Sequence, residues 1–290
     1  SADQAKPELA QRAKDLLDRG YAKLISFECP ESGVDSRRGF EWFGQRDQQH
    51  QALTAYGLLQ FKDLSKVFKV DPALIQRTQT YLLSQRDGQG GFKRNARALD
   101  TFGRAPDHTT NAYIVWALVE SDPDDKEGMD LTKEFDALKK QAKDHAEAKD
   151  DPYFLALIAN SLLLRPANGN REAAITILEQ IAEKHLKNGC VEGAKTSVTR
   201  SGGRDLQVET TALTVLALLR AGEPTKFIKA IKETTKWIGQ QRGGHGAFGS
   251  TQSTILALKA LIEHTKGSRR PAEDGEIRLT IGGMTYKKPF

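Results

Sequence analysis

The stretch Thr211-Ala-Leu-Thr-Val-Leu-Ala-Leu-Leu219 is apolar on nearly every side along its whole length. A helix of this composition must be buried all round, and its alanines and threonines let neighbouring helices approach closely. The next segment differs, because Phe227, Ile228, Ile231 and Ile238 stand at helical spacing among charged residues. That spacing is typical of a helix with one buried stripe. The two segments together predict a fully buried helix paired with a half-buried one.

The same two kinds of segment alternate along the chain. Amphipathic segments lie at 9–24, 74–82, 131–142, 174–181 and 227–238, and each is followed by an apolar segment, at 52–59, 111–118, 153–159, 211–219 and 254–261. Such alternation indicates two concentric layers, so the predicted fold class is all-α, an α/α toroid of the six-hairpin type. Only five pairs are counted, and we expect the first inner helix to lie upstream of Ser1.

Glycine-bearing turns with an aromatic end punctuate the helices. Ser84-Gln-Arg-Asp-Gly-Gln-Gly-Gly-Phe92 and Gln240-Gln-Arg-Gly-Gly-His-Gly-Ala-Phe248 share one pattern, and Gly39-Phe-Glu-Trp-Phe-Gly44 is a looser copy. Glycine allows the tight turn off a helix end, and the aromatic residue fills the space between hairpins. We expect these turns to staple the repeats together. They are not phosphate-binding loops, because no Gly-Lys-Ser/Thr follows.

Composition excludes several classes of protein. No apolar run approaches the roughly 18 residues of a membrane span, so none is expected. Two cysteines, Cys29 and Cys190, cannot form a disulfide framework or a cysteine-rich zinc site. The net charge of +5 is spread along 290 residues without a basic stripe interleaved with aromatics, so nucleic-acid binding is not expected either.

The end of the chain changes character. Residues 267–275 are charged and rich in turn formers, and Glu276-Ile-Arg-Leu-Thr-Ile281 alternates apolar and polar residues before Gly282-Gly283. That pattern predicts a strand entering a turn. We therefore divide the chain into a helical domain, 1–266, and a tail, 267–290, that begins a β domain continuing beyond Phe290.

Three motifs carry a resemblance to a known family. The family is the thioester-containing domain of α2-macroglobulins and complement proteins. Two of its inner helices resemble the run Thr54-Ala-Tyr-Gly-Leu-Leu-Gln-Phe61 and the segment from Val208-Glu209 to Leu219. Its closing motif resembles the segment Gly246-Ala-Phe-Gly-Ser-Thr-Gln252. The variant at 39–44 is most similar to bacterial members. The resemblance covers nearly the whole chain and implies that the tail leads into a CUB-like domain.

The resemblance implies a stored electrophile. In this family a Cys thiol is joined to the side-chain acyl group of a Gln within Cys-x-Glu-Gln, and the thioester acylates an attacking protease or a target surface. This chain lacks the motif, because Gly193 stands where Cys190 would need a Gln. We expect the motif upstream of Ser1, with Cys29 and Cys190 as bystanders. The implied parent is a secreted or periplasmic broad-spectrum endopeptidase inhibitor with macroglobulin domains, without a cofactor.

Four positions are candidate site residues. By resemblance Asp100 falls where the family selects the attacking nucleophile, an acid there favouring amines; alternatively it is a loop or helix-capping acid. His108 is a candidate base near the mouth of the toroid, or belongs to the capping region of a helix start. Glu209 is expected as a polar group at the rim, and Gln252 as a second contact to the substrate.

Two other classes of function remain open from the sequence. A terpene cyclase or prenyltransferase would need grouped carboxylates for Mg²⁺ or an Asp, Cys and His set for zinc. The candidates are the loop Asp122-Pro-Asp-Asp-Lys-Glu127 and the trio Asp205, Cys190 and His185, which lacks recognisable spacing. The other alternative is a toroidal interaction scaffold without thioester chemistry. Our interpretation is that the chain is not an enzyme.

Overall fold

The computed structural model describes residues 7–29, 38–44, 49–95, 105–268, 276–281 and 284–289. Within these ranges it contains ten helices. They are α1 (Pro7–Ile25), α2 (Gln51–Leu64), α3 (Pro72–Ser84), α4 (Asp107–Ser121), α5 (Thr132–Asp144), α6 (Pro152–Leu164), α7 (Asn170–Lys184), α8 (Gly203–Arg220), α9 (Pro224–Gln240) and α10 (Thr251–Ser268). The last helix extends two residues past the predicted domain boundary at residue 266.

The predicted alternation of inner and outer helices is confirmed from α2 to α10, whereas α1, predicted to be half-buried, has no buried residue. The inner helices α2, α4, α6, α8 and α10 lie side by side in that order, and α6 is buried without interruption from Pro152 to Leu162. The outer helix α9 buries only a stripe that includes Phe227, Ala230 and Ile238. The difference follows from composition, because a helix that is apolar all round must be covered on every side.

The inner helices run in one direction. Arg220, the last residue of α8, donates from Nη2 to Oε1 of Glu120 near the end of α4 at 2.8 Å, and from Nη1 to Oδ1 of Asn160 in α6 at 2.9 Å. Lys259 of α10 donates to Asp63 near the end of α2 at 2.9 Å, so the first and last described inner helices meet. The protein is therefore an all-α, toroid-like fold.

Proline occupies the first position of several helices. Pro72, Pro152 and Pro224 occupy the first positions of α3, α6 and α9, where a missing N–H has no cost. Asp71 caps α3 by accepting a hydrogen bond from the backbone N–H of Ala73 at 3.0 Å. These proline and capping residues mark where α3, α6 and α9 begin.

The glycine-bearing turns staple neighbouring hairpins, as predicted. In the turn between α3 and α4 the Asp87 carboxylate accepts the backbone N–H of Gly91 at 3.0 Å, and the N–H of Phe92 donates to Asn111 of α4 at 3.3 Å. Gly90 has a φ of +94°, and a Cβ there would stand 2.6 Å from the Lys133 carbonyl oxygen of α5. The turn therefore seats directly on the next outer helix.

A short hairpin follows α7 that the sequence analysis does not anticipate. The strand β1 (Leu186–Lys187) pairs antiparallel with β2 (Cys190–Val191). Asn188 and Gly189 connect them with φ values of 52° and 83°, the positive values that a two-residue type I′ turn requires. The Asn-Gly pair is typical of such a hairpin turn, but the strands beside it have only two residues each, so they show no alternating pattern in the sequence.

The tail forms a hairpin rather than a single strand. The predicted strand β3 (Glu276–Ile281) pairs antiparallel with β4 (Met284–Pro289), with Ile281 opposite Met284. The predicted strand is therefore present, and its partner Met284–Pro289, for which the sequence analysis made no prediction, is the second strand. That the hairpin begins a CUB-like domain remains a prediction.

Candidate functional site

Three of the four predicted site residues gather at one end of the ring. His108 is the second residue of α4, Gln252 the second residue of α10, and Glu209 lies in the second turn of α8. Because the inner helices run in one direction, these positions all lie where the inner helices begin, an end that we call the mouth. Asp100 lies outside the described residues.

Glu209 is completely buried, and so does not lie at an exposed rim. Its Oε1 accepts a hydrogen bond from Ser201 Oγ at 2.5 Å and longer ones from Ser250 Oγ and Ser253 Oγ, both at 3.4 Å. Its Oε2 has no hydrogen-bond partner among the described residues. Burial raises the pKa of Glu209, and the serine hydroxyls offset part of that rise, so the protonated form is favoured to higher pH than in water.

A chain of hydroxyl groups surrounds this carboxyl and joins two loops. Ser197 Oγ lies 2.9 Å from Thr199 Oγ1, which lies 3.1 Å from Ser201 Oγ in the loop before α8. Ser250 Oγ lies 2.6 Å from Ser253 Oγ at the start of α10. Sequence reasoning missed this network. The clustered Ser and Thr residues on both sides of Glu209 were the signal, but loop geometry decides which hydroxyls meet.

His108 lies in the first turn of α4 but does not cap it. The N-cap residue is Pro106, without a side-chain cap, and the buried His108 ring packs edge-on against Phe154 at 5.1 Å between centroids. The His145 ring lies 4.9 Å away. Burial lowers the pKa of His108, and the neighbouring His145 lowers it further. The neutral imidazole that results is the form a general base requires.

Gln252 is buried at the start of α10. It lines a narrow cleft between α2, α4 and α10 together with Tyr56, Tyr113 and Trp116. The structure thus brings Gln252 next to large aromatic side chains of the inner ring. Its neighbour Ser253 reaches Glu209, so the Gly246–Gln252 motif leads directly to the Glu209 carboxyl.

Both cysteines are buried, and no disulfide joins them. Burial raises the pKa of Cys190 to about 11, and a hydrogen bond with Thr211 offsets part of the rise. A thiol with this pKa is protonated near neutral pH and is a poor nucleophile. Cys190 lies in the hairpin after α7, away from the start of any inner helix. Its setting is that of a packed side chain rather than a reactive group.

The residues considered for metal binding do not form a site. Among the described residues no group of three or more His, Cys, Asp or Glu side chains is placed to hold a metal ion. The Asp122 carboxylate instead accepts the backbone N–H groups of Lys126 and Glu127, both at 3.0 Å. Asp122 is buried and closes the loop, whereas residues 123–127 are exposed to solvent.

The helices within the described ranges include none with the length and apolar character needed to cross a bilayer.

The comparisons with known proteins agree with this architecture. The A-macroglobulin TED domain family matches residues 1–264. Ovostatin of Gallus gallus is 22% identical over 297 aligned positions, which cover 99% of this chain and 19% of ovostatin. The chain thus spans about a fifth of the length of that relative. Because this family matches most of the sequence and the described residues form the alternating helices of such a fold, this chain belongs to the A-macroglobulin TED domain family.

Proposed function

We propose that this chain is the thioester-type domain of an α2-macroglobulin-like protein that inhibits proteases or covalently tags its targets. The observation that carries the proposal is the family match over residues 1–264. The similarity to ovostatin along the whole chain supports it. On this proposal the parent is a secreted or periplasmic bacterial-type protein. Its partners are target proteases or surfaces, and its macroglobulin and CUB-like domains flank the helical domain 1–266 and the tail 267–290.

The reactive thioester, on this proposal, is supplied by an inner helix that precedes Ser1 in the parent protein. Cys190 is protonated and has no Gln three residues later, and Cys29 is followed by Ser32 at that spacing. The apolar side chains Leu258 and Ile262 of α10 are exposed, and a further apolar helix packed on α10 would cover them.

The chemistry of such a site is acyl transfer. The nitrogen of an attacking amine bonds to the acyl carbon, the carbon–sulfur bond breaks, and the thiolate takes up the proton that the amine loses. Residues at the mouth are suited to handle that proton, because His108 favours its neutral form and Glu209 its protonated form. We propose these two side chains and Gln252 as the surroundings of the acyl group.

Methylamine treatment of the intact parent tests the proposal. We expect each parent chain to gain one methylamine and to release one free thiol, as measured by intact mass and thiol titration. The isolated 290-residue chain is the matched control and should gain none. A parent without Cys-x-x-Gln ahead of this domain, or one that takes up no methylamine, would leave the interaction-scaffold alternative in its place.

Asp100 gives a second test, of nucleophile choice. If this acid occupies the selecting position, the intact parent should transfer its acyl group to amines in preference to glycerol. The variant Asp100→His should shift transfer toward glycerol, because an imidazole can take over the acyl group and pass it to a hydroxyl. Unchanged selectivity in the variant would assign Asp100 to the loop alone.

Family membership removes the enzyme alternative. A TED domain of the A-macroglobulin family is not a catalytic domain, so the chain is neither a terpene cyclase nor a prenyltransferase. The expectation that this chain is not an enzyme is confirmed by that match.

A further inference from the structure

A narrow cleft lies inside the ring where α2, α4 and α10 meet. Its walls include Tyr56 and Asp63 of α2, Tyr113 and Trp116 of α4, and Lys259 of α10, and its volume is about 20 Å³. A cavity needs about 10–15 Å³ to accommodate a water molecule. The cleft therefore has room for one molecule of that size.

Two residues that line the cleft each carry a hydrogen-bond donor without an acceptor among the described residues. The donors are the hydroxyl of Tyr113 and the indole N–H of Trp116. Tyr113 is 0% exposed and Trp116 is 1% exposed, so bulk water does not reach them. A buried donor without a partner is costly, and such groups are normally satisfied by protein or by ordered water. Both donors therefore need an acceptor that the described residues do not supply.

The charge on the cleft wall is balanced, which decides the kind of acceptor. Lys259 Nζ donates to both carboxylate oxygens of Asp63, at 2.9 and 3.2 Å. A halide ion is excluded because it would lie near the Asp63 carboxylate, and the Lys259 ammonium group is already paired with that carboxylate. An amine or ammonium ion is excluded because it would bring further hydrogen-bond donors, whereas Tyr113 and Trp116 need acceptors. A neutral molecule that accepts two hydrogen bonds and donates to oxygen fits the wall.

We propose that this cleft is a binding site for one structural water molecule, held by the Tyr113 hydroxyl and the Trp116 indole N–H. The water donates in turn to oxygen on the wall, with Asp63 and Gln252 as the available acceptors. It is an internal component of the ring at the place where its first and last described inner helices meet, and it is independent of the thioester proposal.

A crystal structure of the 290-residue chain grown in sodium bromide tests the identity of the ligand. We expect one density peak within hydrogen-bond distance of Tyr113 Oη and Trp116 Nε1, without anomalous signal. A bromide anomalous peak there would overturn the choice of a neutral ligand. A cleft without density in a well-ordered ring would overturn the site itself.

Two tyrosine variants give an independent test in solution. Tyr113→Phe removes only the hydroxyl, and Tyr153→Phe is its matched control, because Tyr153 is equally buried and its hydroxyl accepts the Val198 N–H at 3.4 Å. If water binds Tyr113, both variants should raise the unfolding equilibrium constant, by about 2- to 10-fold each. The proposal would be overturned if Tyr153→Phe destabilised the chain but Tyr113→Phe left it as stable as the parent or made it more stable.

Discussion

Glu209 and His108 respond to the same environment in opposite directions. Burial disfavours the charged form of either side chain, so it raises the pKa of the Glu209 carboxyl and lowers that of the His108 imidazole. Both are held toward neutrality at the same end of the ring. The two groups therefore make the stability of the domain depend on pH with opposite signs.

Replacing Glu209 by its neutral isostere tests the first of these effects. Because the pKa of Glu209 is raised in the fold, its contribution to stability is present below its ordinary value of 4.5 and is lost as the pH rises through the folded value. Glu209→Gln should therefore gain stability relative to the parent chain between pH 4 and pH 7.5. Urea unfolding at both pH values measures the change. A difference that is constant with pH contradicts the prediction.

His108 gives the opposite slope. Because its pKa is lowered in the fold, its contribution is present above the ordinary value of 6.5 and is lost as the pH falls below that value. His108→Phe keeps a ring against Phe154, and its free energy of unfolding should fall less between pH 7.5 and pH 5.5 than that of the parent chain. The exposed His245 provides the control variant His245→Gln, which should follow the parent.

The residue scale is where prediction from sequence was weakest. The motif resemblance indicated Glu209 and Gln252, but it did not indicate that Glu209 would be fully buried or bound by Ser201. A hydroxyl has no preferred partner in sequence, and its partner depends on how two separate loops close. The rings beside His108 come from other elements and were not predictable for the same reason.

At the scale of elements, glycine does two separable things. In the turn after α3, Gly88 and Gly90 both have positive φ values, of 81° and 94°. Gly88 has no neighbouring atom within 4 Å of an added Cβ, whereas Gly90 lies against the backbone of α5. The first position therefore needs glycine for conformation alone, and the second needs it for conformation and for close packing.

A pair of alanine substitutions separates these two requirements. Gly88→Ala should destabilise the chain by about 1 kcal/mol, the cost of a positive φ for a residue with a Cβ. Gly90→Ala should cost about 3 kcal/mol, because the new methyl group also pushes the turn off α5. Thermal or urea unfolding gives both values. Equal losses would mean that the contact between the turn and α5 has no energetic weight.

Helices were predicted far better than hairpins. The apolar and amphipathic periods fixed all ten described helices, because burial on one face or on all faces leaves a direct record in the sequence. The hairpin around Asn188 and the strand Met284–Pro289 left only short patterns. Whether a segment forms a strand depends on the segment that pairs with it, and these paired segments are too short or too polar to show a strand pattern in the sequence.

At the scale of the whole molecule, a charge network links the carboxyl ends of the inner helices. Lys259 pairs with Asp63 at 2.9 Å and lies 3.8 Å from Glu120, which also pairs with Arg220. Two acids and two bases thus connect four inner helices that are distant in sequence. Hydrophobic patterning predicts that these helices assemble, but it gave no sign of which charged residues would meet.

Removal of Lys259 should weaken the ring as a whole. Lys259→Met leaves Asp63 and Glu120 without one of their cations, and we expect a loss of about 2 kcal/mol in the free energy of unfolding. Lys266→Met removes an exposed partner of Glu263 and should change stability by less than about 0.5 kcal/mol. The double variant Lys259→Met with Asp63→Leu should recover part of the lost stability. If its loss equalled the sum of the losses of the two single variants, the pairing of Lys259 with Asp63 would be contradicted.

The shared direction of the inner helices has an electrical consequence. Each helix carries partial positive charge at its amino end and partial negative charge at its carboxyl end, an effect confined to the first and last turns. The mouth gathers the amino ends of the described inner helices, so it is a place of locally concentrated positive charge. If the proposed thioester of the parent protein lies there, the thiolate that leaves on acyl transfer would be stabilised, as thiolates are at helix amino termini.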